Sequence, residues 1–155
     1  MTMTGWRSFD AAVHTTNEWL DDLIGDSTCE NRQQAYHAMR SVLHAVRDRL
    51  TVDEATDLGA QLPMLVCGFY YEGWRPSGNP KKERSRDEFL EQLGEELSVA
   101  PGQQPIVDPE QAAMGVFRLL TRRISVGEVE HVFTSLPSAV RKLWRDAVVV
   151  GAGCD

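Results

Sequence analysis

Apolar residues return every three or four positions along most of this chain, the period of an amphipathic helix. Ala35, Ala38, Met39, Val42, Val46 and Leu50 form one such stripe and predict a helix from about Asn31 to Arg49. Ala113, Val116, Phe117, Leu120 and Ile124 form another, opening at Asp108-Pro109-Glu110-Gln111, where Asp suits the cap and Pro the first turn. Thr51-x-x-Glu54 and Ser125-x-x-Glu128 follow these helices as capping boxes, in which the hydroxyl takes the third residue's N–H and Glu reaches back to the cap's own N–H. Each box starts a short helix that ends at Leu-Pro, because proline has no N–H and disfavours helix in the residue before it. Pro63 and Pro137 then open the next helices, to about Tyr71 and Asp146. Two leading helices complete the set. One runs from Phe9 to Ile24 with Ser8 as its cap, the other from Asp87 to Leu97 with Ser85-x-x-Glu88 as its box. Strand-like alternation is confined to Val148-Val-Val150 at most.

The two sets superpose. With an offset of 74 residues, Arg49-Leu-Thr-Val-Asp-Glu-Ala55 lies over Arg123-Ile-Ser-Val-Gly-Glu-Val129, and Leu62-Pro63 over Leu136-Pro137. The same offset pairs Ala38 with Ala112, Val42 with Val116, Phe69 with Leu143 and Tyr70 with Trp144, without a gap. A repeat of this kind decides the architecture before any single element does. The expectation is an all-α fold of two tandem, pseudo-symmetric bundles of about four helices each. The first unit takes 8–72, a linker loop 73–84, the second unit 85–147 and a flexible tail 148–155. Helices this short need partners, so each unit buries its face in its own bundle and the bundles pack about a pseudo-two-fold.

Charge narrows the partners. The net charge is −7, and the acidic excess lies mainly before residue 75. Phosphate neutralisation needs Lys and Arg, so the balance opposes nucleic-acid binding. The longest apolar run, Met64 to Tyr71, is far short of the ~20 residues of a spanning helix, and the first residues do not read as a signal peptide. Cys29, Cys67 and Cys154 are too few and too widely spaced for a disulfide framework or zinc site. The chain therefore reads as cytoplasmic, off the membrane, with reduced thiols.

Several strings are more particular: Asn17-Glu-Trp-Leu20, Ala35-Tyr-x-Ala-x-Arg40, Leu43-His-Ala-x-Arg-Asp-Arg-Leu50, Leu58-Gly-Ala-Gln-Leu-Pro-Met64 and Tyr70-Tyr-Glu-Gly-Trp-Arg-Pro76. In these, from about Phe9 to Asp146, the chain resembles the bacterial family known as domain of unknown function 2267. The resemblance implies an all-helical fold of two similar halves and no assigned activity. Relatives of this kind occur in actinobacteria and cyanobacteria, some fused to regulatory domains, which points to regulation or a stress response.

Candidate chemistry is sparse. His37, Arg40, His44 and Arg47 share the face of their helix opposite the apolar stripe, and Arg118 and Arg122 occupy that face in the second unit. This cationic stripe suits an acidic or phosphate-bearing partner, with histidine adding pH sensitivity; a solvated face with local ion pairs is the plainer reading. In the linker, Tyr71, Trp74 and Arg75 are interface-type residues beside Pro and Gly turns, followed by Lys81, Lys82, Arg84 and Arg86 against Glu83 alone. They form either a docking loop or, for Trp74, a plug between the units. Glu128-Val-Glu-His131 is half of a two-helix metal motif, but its counterpart Glu54-Ala-Thr-Asp57 lacks histidine, so no metal is expected. No catalytic motif and no cofactor signature is present. The first reading is a non-enzymatic module that binds a protein partner through the linker or the stripe. The alternative is a small-molecule or metal binder, or an enzyme, using the groove between the units. A homo-oligomer without ligand is the third, marked by an exposed apolar patch.

Overall fold

Four side chains that the sequence marks as caps accept the expected main-chain N–H. Thr51 takes that of Glu54 (3.2 Å), Ser85 that of Glu88 (3.1 Å), Asp108 that of Gln111 (3.0 Å) and Ser125 that of Glu128 (3.2 Å). In the computed structural model, which describes residues 4–26, 28–82 and 84–152 (side chains to residue 149), eight α-helices follow from these and neighbouring signals. They are α1 Arg7–Gly25, α2 Arg32–Arg49, α3 Val52–Ala60, α4 Met64–Tyr71, α5 Arg86–Glu96, α6 Pro109–Arg123, α7 Val126–Ser135 and α8 Ser138–Ala152. The fold is all-α.

Two expectations about helix ends need correction. Helix α1 begins at Arg7, with Trp6 as its N-cap residue, and not at a Ser8 cap. Asp10 reaches back over the first turn and accepts from the main-chain N–H and the hydroxyl of Thr4, at 2.8 and 2.7 Å. At the other end, α8 runs past Asp146 to Ala152, through the valines expected to lie in a tail. The cause is visible 74 residues earlier. Helix α4 stops because Gly73 adopts φ +69°, a left-handed conformation that suits glycine. The residue 74 positions after Gly73 is Ala147, a good helix former with no such freedom.

Helix α2 is the centre of the fold, packing against α1, α4, α5 and α6. From Ser41 to Arg47 every residue is buried, so α2 is enclosed on all sides. Helix α6 is enclosed in the same way from Ala112 to Phe117. Close approach needs small residues: a Cβ at Gly115 would run into the Thr28 side chain. Helix α2 meets α6, α3 meets α7, and α1 and α5 each reach the central helix of the other half. Leu23, Met39, Phe89 and Phe117 therefore belong to one continuous core. Arg49 ties the halves together from within that core. Its guanidinium donates to Ala45 O (3.1 Å) and Gln92 Oε1 (2.8 Å) and lies 5.1 Å from the Phe89 ring centre.

Losing either cap should cost about 1 kcal/mol, so Thr51→Ala and Ser125→Ala are each expected to lower the urea midpoint by that equivalent. Gly73→Ala forces a side chain into a left-handed conformation and should cost about 1–2 kcal/mol in the same measurement.

Candidate functional site

The cationic stripe of α2 does not face solvent along its length. His44 and Arg47 are buried, because the C-terminal end of α4 is laid across them. A helix end presents carbonyls that lack intrahelical partners and carry partial negative charge. Arg47 Nη1 donates to Tyr70 O (2.6 Å) and Glu72 O (3.0 Å), and Arg47 Nε to Asp48 Oδ1 (3.0 Å). His44 Nε2 lies 2.6 Å from Phe69 O; a carbonyl only accepts, so this nitrogen carries the proton. Burial pushes the His44 pKa down, opposed by the bond to Phe69 and reinforced by Arg47 and Arg40. Arg40 reaches Glu72 at 3.4 Å, and the half-buried His37 ring lies edge-on to Tyr36. In the second half Arg118 binds Asp26 (3.2 Å), and the exposed Arg122 stands 3.9 Å from Asp22. The stripe therefore serves helix ends and neighbouring carboxylates.

The linker is a strap tied to the end of α2. After the Gly73 turn, Trp74 tilts against Tyr71, with ring centres 5.5 Å apart, and its indole N–H donates to Asn79 Oδ1 at 2.9 Å. Asn79 Nδ2 in turn donates to Arg47 O (2.6 Å) and Leu50 O (2.9 Å), carbonyls of the last turn of α2. The N–H of Lys81 closes the strap on Asp48 O at 2.7 Å, and its ammonium reaches Gln92 Oε1 at 3.3 Å. Tyr71 lies over Gly59, where a Cβ would collide with its ring and hydroxyl, and its hydroxyl donates to Thr56 O (3.4 Å). Tyr71 and Trp74 are thus half-buried members of the structure, whereas Arg75, Lys82 and Arg84 are exposed. Between strap and helix lies a cleft of about 180 Å³, whose lining includes Arg47, Asp48, Arg75, Asn79 and Lys81. Asn79 organises this region and was not singled out from the sequence. The Asn-Pro pair marks a turn but does not say which carbonyls the amide will meet.

At the joint between α3 and α7, Glu54 and Glu128 do not return the capping bond expected of them. One oxygen of each, Glu54 Oε2 and Glu128 Oε1, is buried without a hydrogen-bond partner. The Glu128 pKa is raised, first by burial, then by the negative charges of Asp57 and Glu54. His131, largely exposed, stands 3.9 Å from Glu128. Among the described residues, no three His, Cys, Asp or Glu side chains gather as a metal site. Cys29 is buried, and its thiol is pushed up to about 11 by burial and by Asp26, so it stays protonated. Cys67 is partly buried; Cys154 and Glu83 lie outside the described residues. No helix among the described residues is long and apolar enough to cross a membrane.

Two of the further open grooves among the described residues lie away from the strap. One, of about 730 Å³, is bounded by α5 and the loop after it, with Glu91, Glu95, Val99 and Pro105 in its lining. The other, of about 310 Å³, runs between α7 and α8 and is almost wholly apolar. In comparison with known proteins, the family described as "Uncharacterized conserved protein (DUF2267)" matches residues 16–143. No curated protein matches the chain.

Replacing Arg47 with Met leaves the α4 carbonyls and Asp48 without their donor and should lower stability by about 2–3 kcal/mol, read from urea unfolding. For His44, the folded pKa lies below the ordinary value of about 6.5. The unfolded chain therefore takes up the proton first as pH falls, and stability drops as pH passes below that value, levelling only under the folded pKa. His44→Gln should flatten this part of the stability–pH curve relative to wild type.

Proposed function

We propose that this chain, which belongs to the DUF2267 family, is a non-enzymatic protein-interaction module that presents the linker strap to an acidic segment of a partner protein. The observation that carries this reading is the strap itself. Its main chain is pinned to α2 through Asn79 and Lys81, yet Arg75, Lys82 and Arg84 point outward from it on a protein of net charge −7. Cations on a segment already held in place cost little further ordering when a partner arrives. Opposite charge across such a contact speeds encounter and selects the partner. The cleft beside Arg75 and Lys81 has room for a carboxylate. Tyr71 and Trp74 act in this reading by shaping the strap, not by touching the partner.

The same reading takes the fold as two pseudo-symmetric halves. In support, α3 and α7 start at 52 and 126, α4 and α8 at 64 and 138, and α2 and α6 end at 49 and 123, each 74 residues apart. Among the described residues only the first half carries the strap, so in this reading duplication supplied the scaffold and the linker supplied the function. The setting is the bacterial cytosol, in regulation or a stress response, as the family resemblance suggests.

Zero-length carboxyl–amine crosslinking in intact cells, read by mass spectrometry, tests the proposal. Crosslinks should join Lys82 to Asp- or Glu-rich peptides of one partner. They should be lost in the double variant Arg75→Glu/Arg84→Glu, which keeps the reactive Lys82 amine and folds normally because both side chains are exposed. Crosslinks confined to other faces and indifferent to that variant would refute the assignment. With the purified partner, affinity should fall as salt is raised, since exposed charges are screened.

A further inference from the structure

The tripeptide Gly-Trp-Arg occurs twice in this chain, at 5–7 and at 73–75. In both copies the glycine has a positive φ, +80° at Gly5 and +69° at Gly73. The second copy is seated: Trp74 lies against Tyr71, and its N–H is taken by Asn79. The first copy is not. Trp6 is 60% exposed and Phe9 47% exposed, and the two rings lie against each other, 4.8 Å apart, at the start of α1. A pair of large aromatic rings left in water is unfavourable unless something covers it.

The surface that could cover them is the groove between α7 and α8. At the repeat offset, Trp74 corresponds to Val148 and Arg75 to Val149. Because α8 continues where α4 turns away, no strap folds back after α7 among the described residues. The groove that results is lined by Thr121, Val129, Phe133, Trp144, Val148 and Val149. Glu130 and Arg145 flank it, the latter with its guanidinium 5.6 Å from the Phe133 ring centre. Val149 is 70% exposed.

We propose that this groove receives the Gly5-Trp6-Arg7 segment of a second copy of the chain, with Trp6 and Phe9 entering together. The occupant is identified by what the molecule already does with the same tripeptide, which it seats on its own first half. Charge agrees with this placement. Arg7 follows Trp6 and is exposed, Glu130 stands at the groove, and the Glu130 carboxylate can take the indole N–H as Asn79 does for Trp74. Exchange in both directions makes a two-fold dimer, each copy giving a segment and a groove. With Trp6 60% and Phe9 47% exposed, the four rings have less to bury than the about 150–250 Å² of a wholly exposed aromatic side chain, so that the anchors alone stay under the roughly 1,200 Å² of a standard interface. The dimer is accordingly of the weak, transient class. This surface is separate from the Arg75 strap, and either assignment can fail without the other.

Sedimentation velocity of the full chain across the micromolar range tests the inference. The wild type should shift from monomer to dimer mass as concentration rises. Trp6→Ala and Val149→Glu should each weaken association about ten-fold or more, as loss of an interface anchor does, with unchanged unfolding midpoints because both side chains are exposed. An equimolar mixture of the two variants retains one intact segment and one intact groove, and should regain part of the dimer. A wild type that stays monomeric throughout, or a dimer indifferent to both substitutions, would overturn the proposal. So would a mixture that associates no better than either variant alone.

Discussion

Three carbonyls at the end of α4, those of Phe69, Tyr70 and Glu72, finish a helix against buried surface, and the rest of the first half depends on their being satisfied. His44 and Arg47 of α2 supply the donors at 2.6–3.0 Å. Without them the short α4 would have to end in water or extend. With them it ends over the central helix, Tyr70 stays buried with its hydroxyl on Ala55 O (2.6 Å), and the chain leaves in the direction that the strap requires. The same two helices thus carry apolar packing on one side and a polar clamp on the other. The clamp is why a face that is cationic in sequence is nearly closed to solvent in the fold.

Two positions 74 residues apart send the chain different ways. Gly73 turns the chain back, and Asn79 fastens it to the last carbonyls of α2. Ala147 lets α8 run on to Ala152. From the first choice comes a rigid strap with outward cations. From the second comes an apolar groove with Phe133, Trp144 and Val149 on its walls. Both surfaces assigned a role above therefore derive from the differing helix ends after α4 and within α8, while α2 and α6 are enclosed alike. One carboxyl oxygen of Glu54 and one of Glu128 are buried at the α3–α7 joint, and burial, with the charges of Asp57 and Glu54, raises the Glu128 pKa.

Legibility followed the range of the interaction involved. Caps at Thr51, Ser85, Asp108 and Ser125 could be read because a hydroxyl or carboxylate and an N–H three residues on meet through local geometry alone. The return bonds from Glu54 and Glu128 could not, because α3 packs against α7 there and one oxygen of each carboxylate is buried without a partner. Proline at 63 and 137 marked helix starts for a covalent reason that no packing can undo. The end of α8 was missed since three valines favour strand by propensity and yield to a helix already under way.

By itself, then, the sequence determined the helical class, the 74-residue spacing of helix boundaries, most helix starts and the apolar residues of the core. These depend on periodicity, caps and backbone stereochemistry, which act within a few residues. Only the tertiary structure decided that His44 and Arg47 are clamps and not a docking face, that Trp74 is seated while Trp6 is not, and that the second half is left with an open groove. The clamps turn on carbonyls 23 and 25 residues away. The seat of Trp74 turns on an Asn79 amide that is itself fastened to the distant end of α2, and the open groove on the lack of a covering segment among the described residues. No local pattern encodes which distant carbonyl or ring a side chain will meet.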